Sequence, residues 1–137
     1  MDVMVLKTQV WLNETYGNDS RFNRVAQDGA TGWSTIYALT RALQIEFGIT
    51  STADNFGPTT IAKFNERYPN GIKQQADGDE NESNIYAIIQ GALWCKGYGT
   101  GSSEITKHFY GGTGSAIIRL NVADFMSCHQ TALMSCL

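Results

Sequence analysis

Thirteen acidic side chains, two histidines and three cysteines are the groups from which this 137-residue chain could assemble hydrolytic or metal-dependent chemistry. Glycoside hydrolysis needs two positioned carboxylates, and acyl transfer needs a nucleophile beside a base. The carboxylates in helical stretches, Glu14, Glu46 and Glu66, lie in unrelated segments with no motif that pairs them. A catalytic zinc asks for three protein ligands, commonly including two histidines. Here His108 stands apart, and His129 lies with Cys128 and Cys136 in an oddly spaced C-terminal set. Cys95 falls in an apolar helical pattern and reads as a small core residue. Asp77, Asp79 and Glu82 form an acidic run without the remaining oxygen ligands of a calcium loop. No catalytic residue, metal ligand or cofactor is assigned, and the chain is expected not to be an enzyme.

Binding chemistry is better represented. Aromatic rings stack on the apolar faces of sugars, while hydroxyls and backbone N–H groups meet hydroxyls, amides and carboxylates. Trp33 and Tyr37 flank one glycine-rich loop, and Tyr98, Phe109 and Tyr110 surround another. The candidate ligand contacts are Trp33, Tyr37, Tyr98 and Tyr110, with Asp28 and Thr35 beside the first pair. Asp28 and Thr35 read more readily as a turn and a helix cap than as ligand contacts. Phe56 and Phe109 are expected to close the core, and Trp11 and Trp94 to pack from helices.

The elements that must position these groups repeat along the chain. Val5, Thr8 and Leu12 recur in spacing as Ile36, Leu39 and Leu43, and again as Tyr86, Ile89 and Leu93. That spacing is one face of a helix, and each stretch ends near a glycine, where helices commonly stop. Gln9 and Gln90 occupy matching places, with Thr40 in that place in the middle copy. A second pattern alternates with the first: a glycine loop turning into a helix at a threonine. Its copies are Asp28-Gly29-Ala30-Thr31-Gly32-Trp33-Ser34-Thr35, Asn55-Phe56-Gly57-Pro58-Thr59-Thr60, and His108-Phe109-Tyr110-Gly111-Gly112-Thr113. Glycine admits positive φ, a threonine hydroxyl can cap the following helix, and Pro58 suits a first helical turn. In two copies the threonine stands at the same distance from an alanine and an arginine: Thr35, Ala38, Arg41 and Thr113, Ala116, Arg119.

Composition sets the outer bounds. The apolar fraction of 42% supplies a core for one compact domain or two very small ones. A formal charge of −3 with no basic stripe argues against nucleic acid, and no apolar run is long enough to cross a bilayer. Met1–Tyr16 is too polar for a signal peptide, so an extracellular role would need export by another route. The odd cysteine count does not make a disulfide framework, and Cys128 and Cys136 are left either free or bridged. Pro69 to Ser83 reads as a solvated linker, with turn residues followed by acidic ones.

The helix followed by Asp-Gly-x-x-Gly-x-x-Thr and Thr-x-x-Ala resembles the small three-helix peptidoglycan-binding domain of bacterial wall hydrolases. Ile89-Gln90-Gly91-Ala92-Leu93 with Lys96-Gly97-Tyr98 is similar to that family's first helix. The strings Gly32 to Gln44, Phe56-Gly57-Pro58-Thr59-Thr60 and Gln90 to Tyr98 resemble the N-terminal wall-binding region of bacterial glycoside-hydrolase-like proteins. The second loop departs from the pattern with Asp54-Asn55, the third with Tyr110, and the last helix with Asn121. The resemblance, over residues 3–125, implies an all-α fold of two fused small three-helix units. The first spans residues 1–68 and the second 84–125, with the linker at 69–83 and a tail at 126–137. It further implies a non-catalytic, extracellular, cell-wall-associated module that binds peptidoglycan through glycan or stem peptide. The alternative is a protein–protein interaction module without carbohydrate binding.

Overall fold

The computed structural model describes residues 1–69, 72, 74–111 and 113. The last helix expected of the second unit, with Ala116 and Arg119, lies outside these residues, as do the tail, Cys128, His129 and Cys136. The described residues form four helices and no strand: α1 (Val3–Tyr16), α2 (Trp33–Glu46), α3 (Pro58–Arg67) and α4 (Asn84–Cys95). The all-α expectation holds. Helix α1 starts at Asp2, whose carboxylate accepts from the Met4 and Val5 amides at 2.8 and 3.2 Å. Helix α4 starts at Ser83, whose hydroxyl accepts from Ile85. These side chains satisfy N–H groups that have no partner inside the helix.

Burial follows the helical spacing. Helix α1 buries Val5, Thr8, Leu12 and Tyr16, and α2 buries Ile36, Leu39 and Leu43. Helix α4 is buried from Ile85 to Cys95 apart from Tyr86, and it packs against both α1 and α2. An α-helix that is apolar on nearly all sides belongs at the centre of a bundle. One hydrophobic cluster therefore runs through both sequence units, with Phe56, Phe64 and Phe109 closing it as expected of Phe56 and Phe109. Helix α3 is anchored through Phe64, whose ring meets Phe47 and Tyr68 at centroid distances of 6.0 and 5.3 Å. The acidic connector is less solvated than its composition suggests: Ile72 and Gln75 are buried within it.

Four buried glutamines fasten the loops to this bundle. The Gln9 carboxamide oxygen accepts from the Asp28 and Gly29 amides at 3.1 and 2.9 Å. Its nitrogen donates to the Asp28 carboxylate, the Ala30 carbonyl and the Thr35 hydroxyl, each at 3.1 Å. Gln44 repeats the device, accepting from Ala53 N and donating to Asn55 O and the Thr60 hydroxyl. Gln90 accepts from Thr106 N and donates to Thr100 and Glu104. Gln75 accepts from Phe109 N at 2.7 Å and donates to Asn81 O.

Two expectations are corrected here. The helix-face alignment placed Thr40 where Gln9 and Gln90 stand, but the clamp in α2 is Gln44, one turn later. The Thr40 hydroxyl instead bonds the Ile36 carbonyl in its own helix, as Thr8 does with Met4. Thr35 and Thr60 are also not caps. Helices α2 and α3 start at Gly32 and Gly57 without a side-chain cap, and both threonine hydroxyls accept from the buried glutamines. Gly29 does need to be glycine: its φ is 67°, and a Cβ there would strike the Met1 side chain and crowd Asp2.

Helices α1 and α4 meet at Gly91, where an added Cβ would lie 2.6 Å from the Thr8 methyl. Alanine is the better helix former by about 1 kcal/mol, but overpacking a filled core costs about 1–3 kcal/mol. Gly91→Ala is therefore expected to lower stability in urea unfolding, and adding Thr8→Ser, which removes that methyl, is expected to recover most of the loss. Cys95 gives a second test. Burial pushes its thiol up to about 12, with a hydrogen bond involving Thr31 opposing the shift. The folded state holds the proton more tightly than the unfolded chain, so the contribution of Cys95 to stability is complete below about pH 8.5 and declines as pH rises towards 12. In a Cys128→Ser/Cys136→Ser background, Cys95 is expected to resist a disulfide reagent at pH 8 until denaturant unfolds the chain.

Candidate functional site

Helical geometry brings residues four apart onto one face. Trp33 and Tyr37 occupy such positions at the start of α2, and their rings stack with centroids 5.8 Å apart and planes inclined by 27°. Trp33 is 44% exposed, while Tyr37 is half-buried beneath it. Between them in sequence, Thr35 is 1% exposed and held by Gln9. The turn that carries the aromatic pair is thus pinned from behind by the first loop clamp.

A cavity of about 130 Å³ opens beside this pair, lined by Asn23, Arg24, Ser34, Tyr37, Arg41 and Asp54. Arg41 donates from Nε to the Asp54 carboxylate at 2.8 Å and from Nη1 to the Thr52 hydroxyl at 2.9 Å. Thr52 in turn donates to the Arg21 carbonyl at 2.6 Å, tying the second loop to the first. The Arg21 guanidinium forks onto the Asp19 carboxylate and holds it down at about 2. Asn13 adds a two-point bond to the Val25 backbone, accepting at 3.0 Å and donating at 2.8 Å. The cavity walls are fixed by these bonds rather than by a sheet.

The remaining candidates are distributed elsewhere. Asp28 is exposed, and its carboxylate accepts from Ala30 N and Gln9, which holds it below the usual carboxylate range. It shapes the turn behind the aromatic pair. Tyr98 follows α4 and packs partly against the core. Tyr110 is 46% exposed and stacks on His108 at 4.9 Å and 12°. It borders a separate depression with Gln74 and the Asp77–Glu80 turn. The structure unites Trp33 and Tyr37, then, and sets Tyr110 on another surface.

Two further surfaces escaped the sequence reading. The larger is a mixed groove of about 470 Å³ over the α2–α3 loop, where Gln44, Thr50, Ser51, Asn55 and Lys63 alternate with apolar residues such as Ile49. Its hydroxyl and amide residues were hidden among ordinary loop composition. The other is an apolar groove of about 410 Å³ along α1, where Trp11 joins Val3, Leu6, Val10 and Ile105 between Glu14 and the Lys7–Glu104 ion pair. Trp11 is only partly buried, so one side of it is structural and the other lines this groove. Trp94 is buried and donates to the Thr100 hydroxyl at 3.0 Å, a packing role.

The helical carboxylates do not converge. Glu46 accepts from the Tyr16 hydroxyl at 2.7 Å and from Asn84 at 3.2 Å, linking α1, α2 and α4. Burial, reinforced by that carboxylate, drives the Tyr16 phenol well above its ordinary range. Glu66 faces Lys63 on α3, and Glu14 lies on the α1 groove. Among the described residues, no three His, Cys, Asp or Glu side chains are grouped to hold a metal.

The chain is 51% identical over 122 residues to the Bacillus subtilis (strain 168) protein named "Uncharacterized protein FadG", a match covering 89% of the chain and 20% of that protein. It is also 51% identical over 117 residues to "Uncharacterized protein YbfG" of the same strain, covering 85% of the chain and 15% of the relative. The chain thus spans about a fifth or less of the length of these relatives. No solved structure matches it. Residues 2–76, which include the aromatic pair and the first two loop clamps, match the family model described as FadG/YbfG, PGDB-like domain. The chain belongs to that family, whose name marks it as peptidoglycan-binding-like.

Proposed function

We propose that this chain is a non-catalytic peptidoglycan-binding module that holds an attached or partner wall-lytic, glycoside-hydrolase-like activity at the bacterial cell wall, outside the cell. The observation that carries this reading is the exposed Trp33 ring stacked on Tyr37 beside a cavity whose rim includes Asn23, Ser34 and two arginines. Such a platform suits the C–H face of a pyranose, and the adjacent hydroxyl, amide and guanidinium groups suit its hydroxyls or a stem peptide. Family membership supports the ligand class, and the short span of the relatives that the chain covers leaves ample length for a separate activity.

A second reading, a protein–protein interaction module, draws on the apolar groove along α1 with the exposed Val3 at its edge. Co-sedimentation with purified insoluble peptidoglycan separates the two. The wall-binding reading expects retention well above that of an unrelated acidic protein, and a loss of about tenfold in affinity on Trp33→Ala or Tyr37→Ala with the fold unchanged by circular dichroism. Retention no greater than the control's would overturn it. Unchanged retention in both variants would move the site away from the aromatic pair. Incubated walls are expected to release no soluble fragments.

A further inference from the structure

Within the proposed wall-binding site, and resting on that reading, we infer that the cavity beside Trp33 and Tyr37 recognises a free carboxylate of the stem peptide through Arg24. Arg24 is exposed and lines the cavity, and no acidic side chain among the described residues pairs with it. Two arginines, Arg24 and Arg41, line the cavity with a single carboxylate, Asp54, which Arg41 already engages. A chain whose formal charge is −3 therefore carries a small cavity whose lining side chains sum to one positive charge. A surplus of that sign in a walled site favours an anionic ligand.

The guanidinium is also held in place. Gly17, which closes α1, has a φ of −59° that any residue could adopt, so its backbone conformation does not require glycine. Space does. A Cβ at position 17 would lie 2.6 Å from both Cζ and Nη2 of Arg24 and would collide with the Asn13 carbonyl. The guanidinium lies against the end of α1, in the negative field of that terminus, which keeps the cation there in the absence of a ligand. The guanidinium is thus seated beside Gly17 while the side chain borders the cavity. A guanidinium is a planar fork that matches a carboxylate by two parallel hydrogen bonds.

The neighbouring groups distinguish a peptide carboxylate from other anions. Asn23 offers both an amide donor and an acceptor, and Ser34 and Tyr37 offer hydroxyls. These complement the peptide unit that precedes a terminal or side-chain carboxylate. The exposed Trp33 ring next to them is placed for the amino sugar from which such a peptide hangs. One net positive charge matches one carboxylate.

The test uses the full chain and three soluble probes observed by NMR titration. They are an N-acetylated amino sugar bearing a short peptide with a free carboxylate, the same compound as its carboxamide, and the amino sugar carrying a phosphate ester instead of the peptide. The acid is expected to bind about tenfold more tightly than the amide, as a charge-assisted pair requires. Arg24→Gln is expected to remove that preference while lowering the unfolding temperature only slightly, through the lost helix-terminus interaction, and Arg24→Lys to retain part of it. Equal binding of acid and amide, failure of the acid to bind, or equal binding of the phosphate ester would overturn the inference. Wall co-sedimentation is read separately: retention without a preference for the acid sinks the role of Arg24 alone, whereas loss of retention sinks the wall-binding reading beneath it.

Discussion

The fold depends on carboxamides buried where apolar side chains would ordinarily be. A glutamine carboxamide carries the same donor and acceptor as a peptide group, so one side chain can satisfy a loop backbone in both directions. Gln9, Gln44, Gln90 and Gln75 each do this, accepting from a loop N–H and donating to a loop carbonyl. Burying a loop without partners leaves each N–H or C=O costing about 1–3 kcal/mol. The same holds for the carboxamides themselves, which makes every clamp reciprocal: the loop satisfies the glutamine as much as the glutamine satisfies the loop. In Gln9 and Gln44 the nitrogen also reaches a threonine on the next helix, so loop shape and helix position are set together.

Helix faces and glycine breaks were readable because they arise from spacing alone. The apolar positions three and four apart marked α1, α2 and α4, and a positive φ at Gly29, Gly48 and Gly97 agrees with the turns drawn from the glycines. Clamp register was not readable. A threonine after a glycine loop fits the pattern of a helix cap, and only the packing shows that Thr35 and Thr60 point inward to a glutamine. Thr40 illustrates the same difficulty, since aligning helices by apolar spacing cannot say which turn faces the loop. The burial of Gln75 in an acidic stretch likewise depends on Phe109, 34 residues away.

Part of the candidate site followed from local geometry. Trp33 and Tyr37 are four residues apart, and once α2 begins at Trp33 rather than Thr35, the two rings must share a face. The cavity beside them was invisible because its walls come from three separate stretches: Asn23 and Arg24, the α2 residues, and Asp54. Arg24 in particular has no sequence signature, since its placement depends on the absence of a side chain at Gly17. Tyr110 looked equivalent to Trp33 by its place in a glycine loop, yet it borders an acidic turn. Equivalent loop positions do not create equivalent surfaces when the flanking residues differ in charge.

Site and scaffold are joined at one helical turn. Gln9 holds Thr35 from inside, and the residues two before and two after it are the stacked aromatics on the outside. Ordering an aromatic side chain on binding costs conformational entropy, and a ring already stacked on a fixed neighbour has lost much of that freedom beforehand. The glutamine clamp therefore reaches beyond stability: by fixing the turn, it fixes the spacing between the platform and the cavity that Arg24 and Arg41 border. A small helical bundle can in this way present a rigid surface on loop-adjacent residues, and that rigidity is what the proposed wall-binding role would draw on.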